Sequence, residues 1–341
     1  MRSRTLVSGV PDGFSERRVA LGEVTLNYVV GPDRGPALLL IPGQMESWQG
    51  YKPVLPALAE RFQVFVPDLR GHGRSTRTPG RYSYNRIGED LVAFIDAVIG
   101  RPALVAGLSS GGVLALWLGA NAPAEVLAVI AEDPPIFSSV WPRIAEEKYL
   151  AHTFRTAVAT LGGERRDLRA FHAQMGIPNP KGGDELLRIP APIVRLGDLL
   201  LRAHRRLRPR RPYDLPLLPF NLRASLKFLS EYDPDFSRAT VEGDLSAGFA
   251  PEATLAAIRC PVLLLRVPAT RHPTWGILGA IDDDDLLRIK ALVGDLEVVE
   301  FPGRHEIHMQ QPERYVAEVT CFVDDLRRRG DLADKLAPRS A

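Results

Sequence analysis

Apolar residues fall along this chain in two alternating rhythms. Runs at 37–41, 104–108 and 126–131 are apolar or small at every position, the pattern of strands covered on both faces. Runs at 63–67, 262–267 and 297–301 complete the series of short strands. Between them the spacing lengthens. Ile87, Leu91, Phe94, Ile95 and Val98 recur at helical intervals and predict a helix over 87–99. Further helices are predicted over 54–61, 283–293 and 313–329. At the front, 17–21 and 24–30 read as two strands joined by Gly22-Glu23, a hairpin signal, after a loose arm over 1–15.

Strands that alternate with helices imply a mostly parallel, twisted sheet flanked by helices, an α/β fold. The alternation stops after Pro135. From 136 to 250 the chain shows helical spacing, prolines and no clear strand, and then the alternation resumes. The predicted organisation is therefore a core over 1–135, a helical insert over 136–250 and a second part of the core over 251–341. No internal repeat is visible.

Composition narrows the picture. With 45% hydrophobic and 25% charged residues, the 341-residue chain reads as soluble and globular. A net charge of +2 argues against a dedicated nucleic-acid binder. The start carries arginines but no apolar stretch follows, so no signal peptide is expected, and no run is long enough to span a membrane. Cys260 and Cys321 are too few and too far apart for a disulfide framework or a metal site, and buried free thiols are expected. A cytoplasmic location fits these features, with no membrane or nucleic-acid partner.

One stretch carries chemistry. Gly107, Ser109 and Gly111 make G-x-S-x-G between an apolar strand and an apolar helix. In that setting the pattern is a nucleophile elbow, in which a sharp turn projects a serine hydroxyl over the end of the sheet. Side chains at Gly107 or Gly111 would clash where strand and helix approach. The N–H groups that open the helix favour negative charge developing beside the serine. The bland alternative is an ordinary Ser/Gly turn. The Gly71/Gly73 loop lacks the Gly-Lys-Ser/Thr signature of a phosphate loop, so nucleotide binding is rejected.

Gly107–Gly111, Asp68-Leu69-Arg70-Gly71-His72-Gly73-Arg74-Ser75 and Phe301-Pro302-Gly303-Arg304-His305 together resemble the α/β-hydrolase fold over roughly residues 16–330. The insert then resembles that fold's helical cap. Leu21-Gly22-Glu23-Val24, Gly107–Gly112, Glu132-Asp133, Glu231-Tyr232-Asp233-Pro234 and Ile277-Leu278-Gly279-Ala280-Ile281 are similar to bacterial zearalenone hydrolases. That likeness implies a serine hydrolase that opens a macrocyclic resorcylic lactone without a cofactor or metal, and a homodimer.

The family order of Ser, acid and His assigns Ser109 as nucleophile and His305 as general base, with His308 as a competitor. No Asp or Glu occurs from Val262 through Ile281, so the acid is expected at Asp133, after the preceding strand, with Glu132 as the alternative. Asp282 to Asp285 read as a helix cap and first turn. By the same likeness the oxyanion donors are the N–H groups of Ser110 and Gln44, although Pro42-Gly43 replaces the usual His-Gly. Serine at 109 disfavours haloalkane dehalogenase and epoxide hydrolase chemistry, which need aspartate there. A general carboxylesterase, a cofactor-free haloperoxidase and a non-catalytic receptor stay open.

The arginine run at Arg202, Arg205, Arg206, Arg208, Arg210 and Arg211, with Pro209 and Pro212, is expected to be a solvated cap helix that ends in a turn. Trp117 is expected in the core. Trp48 and Trp141 could either line a pocket or pack in the core.

Overall fold

Every solid apolar run becomes an interior strand. The structure, a computed structural model, describes residues 9–163, 166–179, 183–207 and 220–332. Its main sheet has eight strands: β1 (Ser15–Leu21), β2 (Val24–Val30), β3 (Ala37–Ile41), β4 (Gln63–Pro67), β5 (Ala103–Leu108), β6 (Val126–Glu132), β9 (Val262–Arg266) and β12 (Leu296–Glu300). They lie in the order β1-β2-β4-β3-β5-β6-β9-β12. β1 and β2 form the expected hairpin, β2 runs antiparallel to β4, and the remaining pairs are parallel. Parallel neighbours put their C-terminal ends on one edge, so β3, β5, β6 and β9 deliver their following loops to one place.

Thirteen helices are seen among the described residues. They are α1 (Leu55–Leu58), α2 (Tyr84–Phe94), α3 (Ser110–Asn121), α4 (Arg143–Glu146), α5 (Lys148–Leu161), α6 (Leu168–Gln174), α7 (Ala191–Leu207), α8 (Phe220–Glu231), α9 (Pro234–Glu242), α10 (Pro251–Ala257), α11 (Asp283–Leu292), α12 (Ile307–Gln310) and α13 (Pro312–Arg329). One apolar core fills the sheet face under α2, α3, α10 and α11. A second fills the opposite face under α1, α12 and α13. Two buried faces explain why the central strands have no polar alternation.

Several boundaries differ from the sequence reading for physical reasons. The 87–99 helix starts three residues earlier, because Ser83 caps the N–H of Arg86 at 3.2 Å. It ends in a wider coil over Ile95–Ile99 that Gly100 closes at φ +68°. The 54–61 helix is shorter, because the N–H groups of Glu60 and Arg61 bond three residues back, to Ala57 and Leu58, and the chain turns into β4. The 136–250 stretch is not free of strands. A three-residue hairpin, β7 (Gly176–Pro178) with β8 (Leu186–Arg188), interrupts its helices, and exposed Ile177 and Leu187 gave no alternating signal. A second small hairpin, β10 (Thr270–His272) with β11 (Gly276–Leu278), follows β9.

Cys260 is buried, but Cys321 is exposed on α13, contrary to expectation. Arg202 and Arg206 are exposed on α7, as is the apolar row Ile193, Leu196, Leu199 and Leu207. Arg208 to Pro212 and the arm over 1–8 lie outside the described residues, as does the side chain of Arg205. No helix of the described residues is long and apolar enough to cross a membrane.

Candidate active site

The turn between β5 and α3 is as tight as the glycine spacing requires. Ser109 sits there at φ +56°, ψ −123°, a conformation that costs a non-glycine residue about 1–3 kcal/mol and persists only where its surroundings impose it. A Cβ at Gly107 would stand 2.1 Å from the carbonyl oxygen of Gly111. A Cβ at Gly111 would stand 2.2 Å from the carbonyl oxygen of Ile41. Both positions therefore admit only glycine. Ser109 N–H donates to the Glu132 carbonyl at 2.8 Å, which ties the turn to the end of β6. α3 begins at Ser110, and its first N–H groups, which lack intrahelical acceptors, face the turn.

The end of β6 carries two adjacent acids, and each meets a different histidine. Asp133, at φ +42°, accepts from His305 Nδ1 at 2.6 Å and from the N–H of Val267 at 3.3 Å. Its own N–H donates to Leu265 at 2.7 Å, so β9 and the residue that follows it hold Asp133 between them. Glu132 accepts from His308 twice, from the backbone N–H at 2.9 Å and from Nδ1 at 2.9 Å. Tyr51 stacks on the His308 ring at 4.2 Å and 17°. Burial pushes the His305 pKa down, but the Asp133 carboxylate overrides it and holds the value at about 9. Burial also opposes charge on His308, and Glu132 likewise raises it above its ordinary value.

A second loop closes on the turn from β3. A Cβ at Gly43 would stand 3.3 Å from both the Leu108 carbonyl and Ser109 Cβ, so the loop packs directly on the serine. The Gln44 side chain then reaches α9 and its approach. It donates to Tyr232 Oη at 2.9 Å and to Ser237 Oγ at 3.3 Å, and it accepts from Thr240 Oγ1 at 3.2 Å. Next to it, Met45 is held at φ +68°, and its N–H donates to His72 Nε2 at 3.2 Å. His72 Nδ1 donates in turn to the Arg70 carbonyl at 3.0 Å. Burial lowers the His72 pKa to about 4, so the ring is neutral and free to accept at Nε2.

Asp68 braces the same loop. It accepts from the N–H groups of Trp48 at 2.9 Å and Arg74 at 3.1 Å and from Asn27 at 2.8 Å, while burial raises its pKa to about 6. In the sequence Asp68 and Arg74 stood out as part of a segment similar to the α/β-hydrolase fold, with no sign of the bonds that Asp68 makes.

A cavity of about 520 Å³ opens beside Gln44. Met45, Phe171, Phe228, Leu229 and Met309 line it, with Glu46 from the β3 loop and Arg304 and Glu306 on either side of His305. Most of these residues carried no signal in the sequence, because an amphipathic helix shows which face is apolar but not what that face meets. The tryptophans lie elsewhere. Trp48 and Trp117 are buried in the cores, and Trp141 is exposed over Gly243. Asp282 caps α11 by accepting from the N–H of Asp285 at 2.9 Å.

Comparison with known proteins agrees with this architecture. A family model described as the alpha/beta hydrolase fold matches residues 36–174. The chain is 39% identical over 125 residues to the magnesium-chelatase 30 kDa subunit of Rhodobacter capsulatus, an alignment that takes in 36% of this chain and 44% of that protein. It is 26% identical over 324 residues to 2-(acetamidomethylene)succinate hydrolase of Mesorhizobium japonicum, covering 92% of this chain and 96% of the relative. Among solved structures, the enol-lactonase of Burkholderia xenovorans superposes with a TM-score of 0.59 at 16% identity, over 90% of this chain and all of that one.

Proposed function

Taking the α/β-hydrolase fold of this chain as the premise, we propose that it is a serine hydrolase that cleaves a carboxylic ester or lactone through an acyl-enzyme. One conjunction carries the reading: a serine held at φ +56° on the elbow between β5 and α3, and an acid–histidine bond of 2.6 Å at the neighbouring strand ends. Ser109 attacks the acyl carbonyl. His305, whose Nδ1 is committed to Asp133, takes the serine proton at Nε2 and returns it to the leaving alkoxide. Asp133 fixes the tautomer and stabilises the imidazolium. The N–H groups of Ser110 and Gln44 receive the developing oxyanion, each worth about 3–4 kcal/mol in the transition state. Water then releases the acid and regenerates Ser109.

The substrate in this reading is a neutral, mostly apolar macrolactone of the zearalenone type. Two features support it. Met45, Phe171, Phe228, Leu229 and Met309 supply the apolar part of the cavity wall, beside Gln44, Glu46, Ser225, Arg304, Glu306 and Gln310. Glu231-Tyr232-Asp233-Pro234, one of the segments similar to zearalenone hydrolases, supplies the Tyr232 hydroxyl that holds Gln44. We further propose that the helices between β6 and α10 act as a cap over the site.

The test is mass-spectrometric detection of zearalenone ring opening by the wild type and by Ser109→Ala. The expected result is a product heavier by one water that is absent with the variant. Fluorophosphonate labelling of Ser109 without ring opening would keep the serine hydrolase and move the substrate to other esters. Loss of both would overturn the reading.

A further inference from the structure

Glu46 has a carboxyl group set against Gly50, Phe228 and Met309, and the ester-cleaving machinery does not use it. It follows Gln44 by two residues and lines the cavity beside Phe228 and Met309. Its Oε2 is buried with no hydrogen-bond partner. Gly50 makes the room for it: a Cβ there would stand 3.2 Å from Glu46 Oε2, 3.0 Å from Met309 Cε and 3.7 Å from Phe228 Cζ. Glu46 stands in the wall of a cavity where apolar side chains alternate with Gln44, Ser225, Arg304, Glu306 and Gln310, and a polar group that enters it can satisfy the carboxyl. We infer that Glu46 is the polar anchor of the substrate pocket, hydrogen-bonding a neutral hydroxyl or ketone oxygen on an otherwise apolar substrate and, when ionised, excluding a carboxylate from that place. The inference rests on the serine-hydrolase reading and narrows its substrate class.

The protonation state agrees with this role. Burial raises the Glu46 pKa to about 7. The groups that face it act in both directions: His308 on α12 and His305 in the preceding loop lower it, while Glu306 in that loop and Glu132 on β6 raise it. A neutral carboxyl group both donates and accepts, so it can serve a ketone or a hydroxyl. Once ionised it only accepts, so it still serves a hydroxyl but no longer a ketone, and it repels an anion. Once Glu46 is ionised, substrates that carry carboxylates, like the succinate in the name of one relative, are therefore disfavoured here.

The test uses four p-nitrophenyl esters of one length, the octanoate and its 8-hydroxy, 7-oxo and ω-carboxylate forms, on wild type, Glu46→Gln and Glu46→Leu. In the wild type near pH 6, kcat/KM for the hydroxy and oxo esters should exceed that for the plain ester about tenfold, the penalty a substrate incurs for leaving a buried polar group unpaired. Above pH 8, where Glu46 is ionised and repels an anion, the carboxylate ester should be the worst of the four. In that range the oxo preference should vanish and the hydroxy preference persist. Glu46→Gln should keep most of both preferences, and Glu46→Leu should bring the ratios to about one at a melting temperature near that of the wild type. A wild-type preference for the carboxylate ester above pH 8, or unchanged ratios in Glu46→Leu, would overturn the inference. Fluorophosphonate labelling of the wild type separates the two levels. A labelled Ser109 with no preference among the esters ends the Glu46 role alone. An unlabelled Ser109 ends both.

Discussion

Two acid–histidine pairs lie side by side at the end of β6, built from consecutive residues, yet they are suited to different work. The His305 side chain is 32% exposed, and its partner Asp133 is fully buried. In the other pair both His308 and Glu132 are fully buried. The His305 ring is therefore partly open to solvent, whereas the Nε2 of His308 is buried with no partner among aromatic rings. In the proposed mechanism, the same kind of acid–histidine bond thus gives a base in one pair and a strut in the other. What separates them is access to the ring. The strut still bears on the base, because Glu132 fixes the backbone N–H of His308 and so fixes the loop that presents His305.

Exchanging the damage between the pairs gives the largest expected effects. In the proposed mechanism, Asp133→Asn should lower kcat about ten-thousand-fold and leave the fold in place, because the imidazole loses its tautomer control. Glu132→Gln should act mainly on stability. Removing one partner of a buried ion pair leaves an uncompensated charge and costs about 3–5 kcal/mol. Steady-state kinetics and urea unfolding of both variants would check this. A kcat that collapses in Glu132→Gln while its unfolding midpoint holds would reverse the two assignments.

The sequence made much of the fold legible and left the site half-written, and the reason is physical. Interior strands such as β3 and β5 are buried on both faces, so their own residues report their environment. The elbow likewise writes its steric needs into Gly107 and Gly111. Pairing across the chain leaves no such local mark. Asp133 and Glu132 are neighbours, as are His305 and His308 three positions apart, and nothing in either segment states which acid meets which ring. Register decides it, since Glu132 is the last residue of β6 to pair with β9 and Asp133, at φ +42°, breaks the strand conformation just beyond it. The cavity walls were less legible still. Phe171 and Phe228 read as helix faces, and the hairpin of β7 and β8 is too short for any period.

A pH series sharpens the comparison at intermediate effect. The folded pKa of His305 is raised from 6.5 to about 9. A raised value means that charge on His305 stabilises the fold fully below about pH 6.5 and that this contribution is lost as pH rises toward 9. Catalysis needs the neutral ring and gains over the same window. Between pH 6.5 and 9, kcat/KM should therefore climb while the urea midpoint falls. In Asp133→Asn, burial is opposed only by the weaker pull of Glu306 and Glu132, so the residual activity should reach its plateau at lower pH. A wild-type plateau already complete at pH 6.5 would mean that Asp133 does not hold the charge.

The smallest effects probe the aromatic walls of the buried pair, and they should differ in sign. Tyr51 donates its hydroxyl to the Ile41 carbonyl at 3.1 Å while its ring stacks on His308. Tyr315 meets the same ring edge-on at 5.8 Å, but its buried hydroxyl has no partner. Tyr51→Phe leaves the carbonyl unserved and should cost about 1 kcal/mol. Tyr315→Phe removes only an unsatisfied group and should be neutral or stabilising by a similar amount. Neither should change kcat by more than about twofold, because each keeps the ring that packs His308 in place and only the hydroxyl is lost. Urea midpoints of the two variants, measured with the same initial rates, check both the signs and the separation from catalysis. A tenfold loss of kcat in either would show that the walls of the buried pair also set the position of His305, and that the strut is part of the base.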